Sequence, residues 1–251
     1  MKGFSKNLVP IVCLLGLVGF IAWFVVGDNN LIKPQMTLAA VSAPLAGAGN
    51  FGILSSTYTN TVPGTTINGD LGYTTGPAVA PTVSGTTHIA DGTYNQAGID
   101  QGSALAALNA QVCDFSFGVA TDLSLLPQPL APGVYCITGA TSIGAGGGIT
   151  LSGNGAFIFR IVGALTTVAN SIVSVSGGAS ACDIFWTPTQ ATTLGANSTF
   201  LGTIIDDAGI TIGSTVGWTG RALAFGGTIT TDVDTITVPI CAAPASISVV
   251  K

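Results

Sequence analysis

A short apolar run recurs along this chain, and each copy is apolar at consecutive positions rather than alternate ones. The copies are Val134-Tyr135-Cys136-Ile137, Phe157-Ile158-Phe159, Asp183-Ile184-Phe185-Trp186, Gly202-Thr203-Ile204-Ile205 and Arg221-Ala222-Leu223-Ala224-Phe225. They start at 134, 157, 183, 202 and 221, giving spacings of 23, 26, 19 and 19, and Phe51-Gly52-Ile53-Leu54 has the same form. Periods near 20 residues mark a solenoid, in which each repeat buries its apolar side only against its neighbours. Strands apolar at consecutive positions need cover on both faces. The cover is expected from a helix at about 95–112, where Ala97, Ala104, Leu105, Leu108 and Val112 fall near one stripe. Asp91-Gly92-Thr93 supplies a start signal. Gly98 and Gly102 each weaken such a helix by about 1 kcal/mol relative to Ala, so packing must hold it.

Two alternating strands lie between successive runs. The second closes on an apolar residue near a turn: Leu151-Ser152-Gly153, Val175-Ser176-Gly177, Phe200-Leu201-Gly202, Trp218-Thr219-Gly220 and Val238-Pro239. If those apolar residues point inward, period-2 alternation turns their predecessors outward. That outward column reads Thr150, Ser174, Thr199, Gly217 and Thr237, with Thr66 matching from the N-terminal part. Two residues earlier stand Gly148, Ile172, Asn197, Thr215 and Thr235. The other strand carries Ser142, Thr167, Thr193 and Thr211 ahead of Ile143, Val168, Leu194 and Ile212. The expected fold is an all-β solenoid of triangular cross-section, with a helix on one face and two faces exposed.

Such a surface is kept wet by hydroxyls, because charge is scarce. Only 7% of the chain is charged, with no Glu, and after residue 44 the bases are Arg160, Arg221 and Lys251 against ten Asp. Nucleic acid is excluded, since phosphate binding needs clustered Lys and Arg. The N-terminus is a targeting element: Lys2 and Lys6 precede an uncharged stretch from Leu8 to Gly27. Twenty residues exceed a signal-peptide core and reach the length of a membrane span. Cleaved signal and retained anchor both stay open, the first through a site at Val41-Ser42-Ala43, and a membrane tether through residues 8–27 belongs to the second. Either places the domain outside the cytoplasm. The division is therefore 1–27 signal or anchor, 28–47 linker, 48–242 solenoid domain and 243–251 tail. Cys13 lies in the targeting segment, which leaves Cys113, Cys136, Cys182 and Cys241 for an oxidising compartment. Of three connectivities, Cys113–Cys136 with Cys182–Cys241 is favoured, the alternative being four buried thiols.

Catalytic machinery is missing from this pattern. Two positioned carboxylates would be needed for hydrolysis of glycosides, yet the close acids, Asp206-Asp207 and Asp232/Asp234, sit at turns that explain them. A weak Ca²⁺ site at Asp232/Asp234 lacks the ligand spacing of a known loop. Zinc lacks C-x-x-C spacing, and His88 is the single histidine, read as a surface or turn residue. Gly144-Ala145-Gly146-Gly147-Gly148 opens no helix and so is a corner of the coil rather than a phosphate loop. Arg160 and Arg221 lie in the apolar ladder and are expected to pair with Asp, Asp70 being a candidate. Asn197-Ser198-Thr199 is a glycosylation sequon. No catalytic residue, metal or cofactor is expected.

Rows of stiff β-branched Thr form a fixed lattice of methyls and hydroxyls. Such a lattice suits ordered water or another crystalline ligand, whereas a small molecule requires a concave pocket. With that pattern in view, the chain resembles the bacterial, archaeal and fungal ice-binding proteins built on a discontinuous β-solenoid. The matching segments are Phe51-Gly52-Ile53-Leu54, Ile67-Asn68-Gly69-Asp70-Leu71-Gly72, Leu130-Ala131-Pro132-Gly133-Val134-Tyr135, Leu151-Ser152-Gly153-Asn154-Gly155-Ala156-Phe157-Ile158-Phe159, Asp183-Ile184-Phe185-Trp186, Gly220-Arg221-Ala222-Leu223-Ala224 and Ile236-Thr237-Val238-Pro239-Ile240-Cys241. They fall within residues 48–241. The resemblance implies a right-handed triangular coil with one long helix alongside, and adsorption to ice through one flat face. It also implies a Thr-[Ala/Gly]-x-[Thr/Asn] quartet before the inward apolar residue. The equivalents here are Pro63-Gly64-Thr65-Thr66, Gly147-Gly148-Ile149-Thr150, Ser171-Ile172-Val173-Ser174, Ala196-Asn197-Ser198-Thr199, Ser214-Thr215-Val216-Gly217 and Asp234-Thr235-Ile236-Thr237. The closing Thr survives in four of the six and the opening Thr in none.

The expected function is adsorption to ice through Thr66, Thr150, Ser174, Asn197, Thr199, Thr215, Thr235 and Thr237, inhibiting ice growth or recrystallisation. The expected partner is the ice crystal surface, met by a monomer. The alternative is a cell-surface structural or adhesin module on the same scaffold.

Overall fold

Consecutive apolar residues stack coil upon coil into one parallel sheet. The structure, a computed structural model, describes residues 39–144 and 147–241. The expected targeting segment with Cys13, the expected linker up to residue 38 and residues 242–251, with the expected tail, lie outside the described residues. Along the helix side the strands run Phe115–Phe117, Gly133–Ile137, Phe157–Ile161 and Ile184–Pro188, followed by the later part of Thr199–Ile205 and the middle of Gly217–Thr231. The next strand in space is not the next in sequence. Ile53-Leu54-Ser55, in strand Phe51–Asn60, lies against Ala222-Leu223-Ala224, and Asp70–Tyr73 and Thr87–Ile89 follow outward. The N-terminal coils therefore sit on the C-terminal coil, and the chain must return to the far end to begin at residue 115.

The helix makes that return. It covers Gly92–Asn109 and, at 18 residues, is about 27 Å long. It starts three residues before the expected 95 because Asp91 caps it, accepting from the Tyr94 N–H at 2.8 Å. It stops three residues early because Cys113 is tied to Cys136, and Asp114 accepts the Val134 N–H at 2.8 Å to start the first strand. Val112, expected on the apolar stripe, is 86% exposed beyond the helix end. Ala97, Ala104 and Leu108 are buried as the stripe requires. With Tyr94 they pack on Phe51, Leu54, Val134, Ile158, Phe185, Ile205 and Leu223, the outer side of the consecutive-apolar ladder.

The two helix glycines differ. A Cβ at Gly98 would sit 2.5 Å from the Phe225 ring, which itself packs on Tyr94 with centroids 4.8 Å apart. A Cβ at Gly102 meets nothing within 4 Å. Gly102→Ala is therefore expected to stabilise the domain by about 0.5–1 kcal/mol. Gly98→Ala should yield no such gain, because the ring must move. Denaturant midpoints of the two variants check this, and equal shifts would count against it.

Inside the coil a second core is formed by the residues of the opposite parity. Tyr135, Phe159, Trp186, Phe200 and Trp218 form a buried aromatic row with successive centroids 4.9, 4.0, 5.3 and 5.4 Å apart, and the exposed Phe115 ring lies on its end, 4.5 Å from Tyr135. The indole N–H groups of Trp186 and Trp218 donate to the Leu201 and Gly202 carbonyls at 3.0 and 2.8 Å. Both disulfides of the described region take the favoured pairing, Cys113–Cys136 and Cys182–Cys241.

The arginines correct the sequence reading. Neither pairs with Asp among the described residues. Arg160 donates to the Gln111 carbonyl at 2.8 Å, and Arg221 to the Gly49 carbonyl at 2.7 Å. Arg221 is buried, and desolvation pulls its pKa down to about 10. Asp70 instead accepts from the Thr86 N–H and faces His88, whose Nδ1 lies 2.7 Å from the capping Asp91. Those contacts, led by the Tyr94 N–H, hold the Asp91 pKa below its ordinary value.

Candidate functional site

Two sides of the triangle face solvent, and backbone pairing fixes which residues share a column. On the first exposed face the aligned inward residues are Ile149 and Val173 in the first two coils, and Phe200, Trp218, Ile236 and Ile67 in the others. One outward column, preceding them, runs Gly148, Ile172, Thr199, Gly217, Thr235, Thr66 and Thr82. The column on the other side of the inward row contains Thr150 beside Ser174, and Leu201, Thr219, Thr237 and Asn68 in line. Hydroxyls on neighbouring coils bond directly: Thr150 Oγ1 lies 3.0 Å from Ser174 Oγ, and Asn68 Nδ2 donates to Thr237 Oγ1 at 3.1 Å.

The six quartets are thus not equivalent. Thr66 and Thr199 stand in one column, Thr150, Ser174 and Thr237 in the other. The coils at 148–152 and 172–176 run four residues from the inward Ile149 and Val173 to the closing Gly153 and Gly177, where Phe200 and Trp218 need two to reach Gly202 and Gly220. Anchoring on the closing glycine slipped the register by two. A two-residue slip preserves the inward-outward parity, so the residues stayed outward while their columns changed.

Asn197 and Thr215 take a different position. They sit at the corner leading onto this face, where Thr215 Oγ1 donates to Asn197 Oδ1. The corner is a column of its own: Asn170, Asn197, Thr215 and Val233 have φ of 63, 58, 62 and 56°, each two residues before the aligned strand position. Left-handed backbone is unfavourable for β-branched Thr and Val. The same bend, repeated at these four coils, turns each of their strands onto this face.

The second exposed face comprises Thr121–Asp122, Thr141–Ile143, Leu165–Thr167, Thr192–Leu194, Ile210–Ile212, the end of Gly217–Thr231 and the end of Phe51–Asn60. Here a one-residue error in the sequence reading had reversed a side chain. Thr166, not Thr167, aligns with Ser142 and Thr193. Thr167 is buried and its Oγ1 accepts the Gly195 N–H at 2.9 Å. Sequence reasoning also missed Thr230 and Thr59. Strict alternation around the inward Ile229 and Tyr58 is the signal that marks them.

The two close acid pairs, Asp206-Asp207 and Asp232/Asp234, sit at corners of the coil. Both Asp234 oxygens accept N–H groups, from Val216 at 2.9 Å and Asp232 at 2.7 Å. Asp206 accepts from Thr192 Oγ1 at 2.7 Å and the Ala208 N–H at 3.0 Å. Burial pushes each up to about 6. Each makes one bond within its own turn, from the Asp232 or Ala208 N–H, and one to a neighbouring coil, and no cluster of three or more metal-ligating side chains occurs among the described residues. Within the Gly-rich corner, Gly147 and Gly148 have φ of 87 and 153°, while Ala145 and Gly146 are outside the described residues.

A helix-backed discontinuous parallel solenoid with two flat hydroxyl-bearing faces defines a class of surface-binding scaffold. The family model described as ice-binding-like matches residues 53–237, and the chain belongs to that family. It is 33% identical over 211 residues to an ice-binding protein of Nostoc sp. (strain HG1), covering 79% of this chain and 75% of that one. It is 31% identical over 231 residues to an ice-binding protein of Flavobacterium frigoris (strain PS1), covering 84% and 81%. Among solved structures, an ice-binding protein from an Antarctic biological consortium superposes with a TM-score of 0.73 at 29% identity, over 82% of this chain and 95% of that one. One from the Antarctic ascomycete Antarctomyces psychrotrophicus gives 0.73 at 28%, over 80% and 100%.

Proposed function

We propose that this protein adsorbs to ice and thereby restrains ice growth or recrystallisation. The observation that carries the reading is the pair of in-register outward columns on a face whose strand segments, 148–152, 172–176, 199–201, 217–219, 235–237 and 66–68, hold no charged side chain. A Thr methyl and hydroxyl repeated about every 4.8 Å along the coil axis can template water, the hydroxyls anchoring what the methyls order. Lys or Glu on that face would bind its own hydration shell and break the order. Relatives bearing the name ice-binding protein support the same ligand. In this reading Thr66, Thr150, Ser174, Thr199, Thr235 and Thr237 make the contact, with Asn197 and Thr215 at its edge. The role needs no catalysis and no cofactor.

The setting we propose is extracytoplasmic. Two disulfides belong to oxidising compartments, and residues 1–27 have the pattern of an export signal or anchor ahead of the linker 28–47 and the domain 48–242. No helix among the described residues is long and apolar enough to cross a membrane. The test is to grow single ice crystals in the purified domain. Facetted crystals and uptake of labelled protein into ice are expected. Smooth discs at every concentration would sink the reading. Thr199→Lys combined with Thr235→Lys should lower uptake several-fold with the circular dichroism spectrum unchanged.

A further inference from the structure

The export cut expected after Val41-Ser42-Ala43 falls inside a segment that the fold holds in place. One side-chain amide grips Val41: its N–H donates to Gln111 Oε1 at 2.9 Å, and its carbonyl accepts from Gln111 Nε2 at 2.7 Å. Ser42 Oγ donates to Asp183 Oδ1 at 2.6 Å. Ala43 is buried in the helix-side core, with Ala40 and Leu45 packed against that core. Farther on, the Gly47 N–H donates to Asp100 Oδ2 at 2.8 Å. A Cβ at Gly47 would lie 2.9 Å from the same oxygen, so glycine is what lets the chain pass so close.

The segment spans the junction where the N-terminal coils sit on the C-terminal coil. Gln111 lies just beyond the helix and Asp100 near its middle, so residues 41–47 run back along the helix. Ser42 is bound beside the start of Ile184–Pro188. The Gly49 carbonyl holds Arg221, and Phe51 opens the strand that pairs beyond it. Between those points lie the coils of Thr199–Ile205 and Gly217–Thr231. The Cys182–Cys241 bridge starts next to Asp183, so both ends of the described chain meet the body at one place. The family match, over residues 53–237, does not include this segment.

We infer that residues 41–47 are a clasp belonging to the exported domain, and that export leaves them attached rather than cutting after Ala43. The inference rests on the extracytoplasmic setting proposed above and deepens it. Export processing acts on an unfolded chain, so the fold does not shield the bond. What the fold decides is the stability of the product. A cut after Ala43 would leave the Gln111 amide without Val41, Asp183 without the Ser42 hydroxyl and the helix-side core without the Ala43 methyl. Residues 44–47 would then be held by Leu45 packing and the one hydrogen bond at Gly47, and a chain end so weakly tied frays. With the clasp in place, the upstream chain joins the domain on its helix-covered side and on neither hydroxyl-bearing face.

The experiment produces the full chain in an exporting bacterial host and reads the first residue of the protein recovered outside the cytoplasm, by intact mass and peptide mapping. A chain beginning at or before Val41 is expected, and one beginning at any later residue overturns the inference. Ser42→Ala combined with Gln111→Ala, made in the same full chain, should lower the denaturant midpoint and speed amide exchange several-fold in residues 45–51. Ser103→Ala, on the exposed side of the helix where the hydroxyl meets the Ile99 carbonyl, should do neither. A double variant that matches the parent in midpoint and exchange equally sinks the clasp, because its contacts would then hold nothing. Protein retained inside the cell with reduced cysteines defeats the export reading instead, and the purified variants still decide whether the clasp holds.

Discussion

Trp186→Ala is expected to cost the domain about 3–5 kcal/mol, the range for truncating a large buried aromatic. Trp186 is fully buried in the middle of the aromatic stack, 4.0 Å from Phe159 and 5.3 Å from Phe200 between ring centroids. Removing the indole leaves a cavity that fixed parallel pairing on both sides, to Phe159 and Ile204, prevents from closing. It also deprives the Leu201 carbonyl of its donor. Trp186→Phe keeps most of the stacking and loses the hydrogen bond, so it should cost only about 1–2 kcal/mol. Urea denaturation measures both. For a domain of this size the Ala variant should unfold roughly 10 °C lower. A cost for Ala no greater than for Phe would show that the stack is not the mechanical centre of the coil. Any collapse would also reach the outside, since Phe200 and Trp218 are the inward partners of the outward Thr199 and Thr219.

Loss of Cys182–Cys241 is expected to destabilise the domain by about 4 kcal/mol, against about 3 kcal/mol for Cys113–Cys136. The difference follows from loop entropy, because the bridges join residues 59 and 23 apart in sequence. The longer bridge also ties the segment after the last coil to the body. Beside it Arg221 approaches Cys241 Sγ at 3.9 Å while holding the Gly49 carbonyl. Its loss should loosen the junction where N-terminal and C-terminal coils meet. Paired Cys→Ala variants compared by denaturant midpoint test the order. Equal midpoints, or a larger loss for Cys113–Cys136, would contradict it.

Much of this architecture was legible in the chain. Consecutive apolar residues at Val134, Phe157, Ile184 and Ala222 announce strands covered on both sides, and only a helix near residue 100 was available to cover them. The cysteine pairing agreed with the favoured choice among three. The outward direction of Thr150, Thr199, Thr235 and Thr237 survived a misplaced anchor because alternation has a period of two. The same periodicity made Thr167 fail, since a single-residue slip exchanges inside for outside. The arginine partners were misjudged for a different reason. A carbonyl such as that of Gly49 or Gln111 leaves no mark in a sequence, whereas an Asp does.

By itself, then, the sequence determined that this protein is a solenoid with a helix-covered side and a charge-poor hydroxyl surface, because those properties reside in local periodicity and composition. The tertiary structure decided which hydroxyls share a row. Register depends on how many residues each corner consumes, and the corners vary, from two residues after Phe200 to four after Ile149. It also decided that Thr59 joins Thr230 although 171 residues separate them, since the first strand closes on the last. That closure is a long-range pairing with no local signature. It is what extends the row Ser142, Thr166, Thr193, Thr211 and Thr230 to a sixth coil.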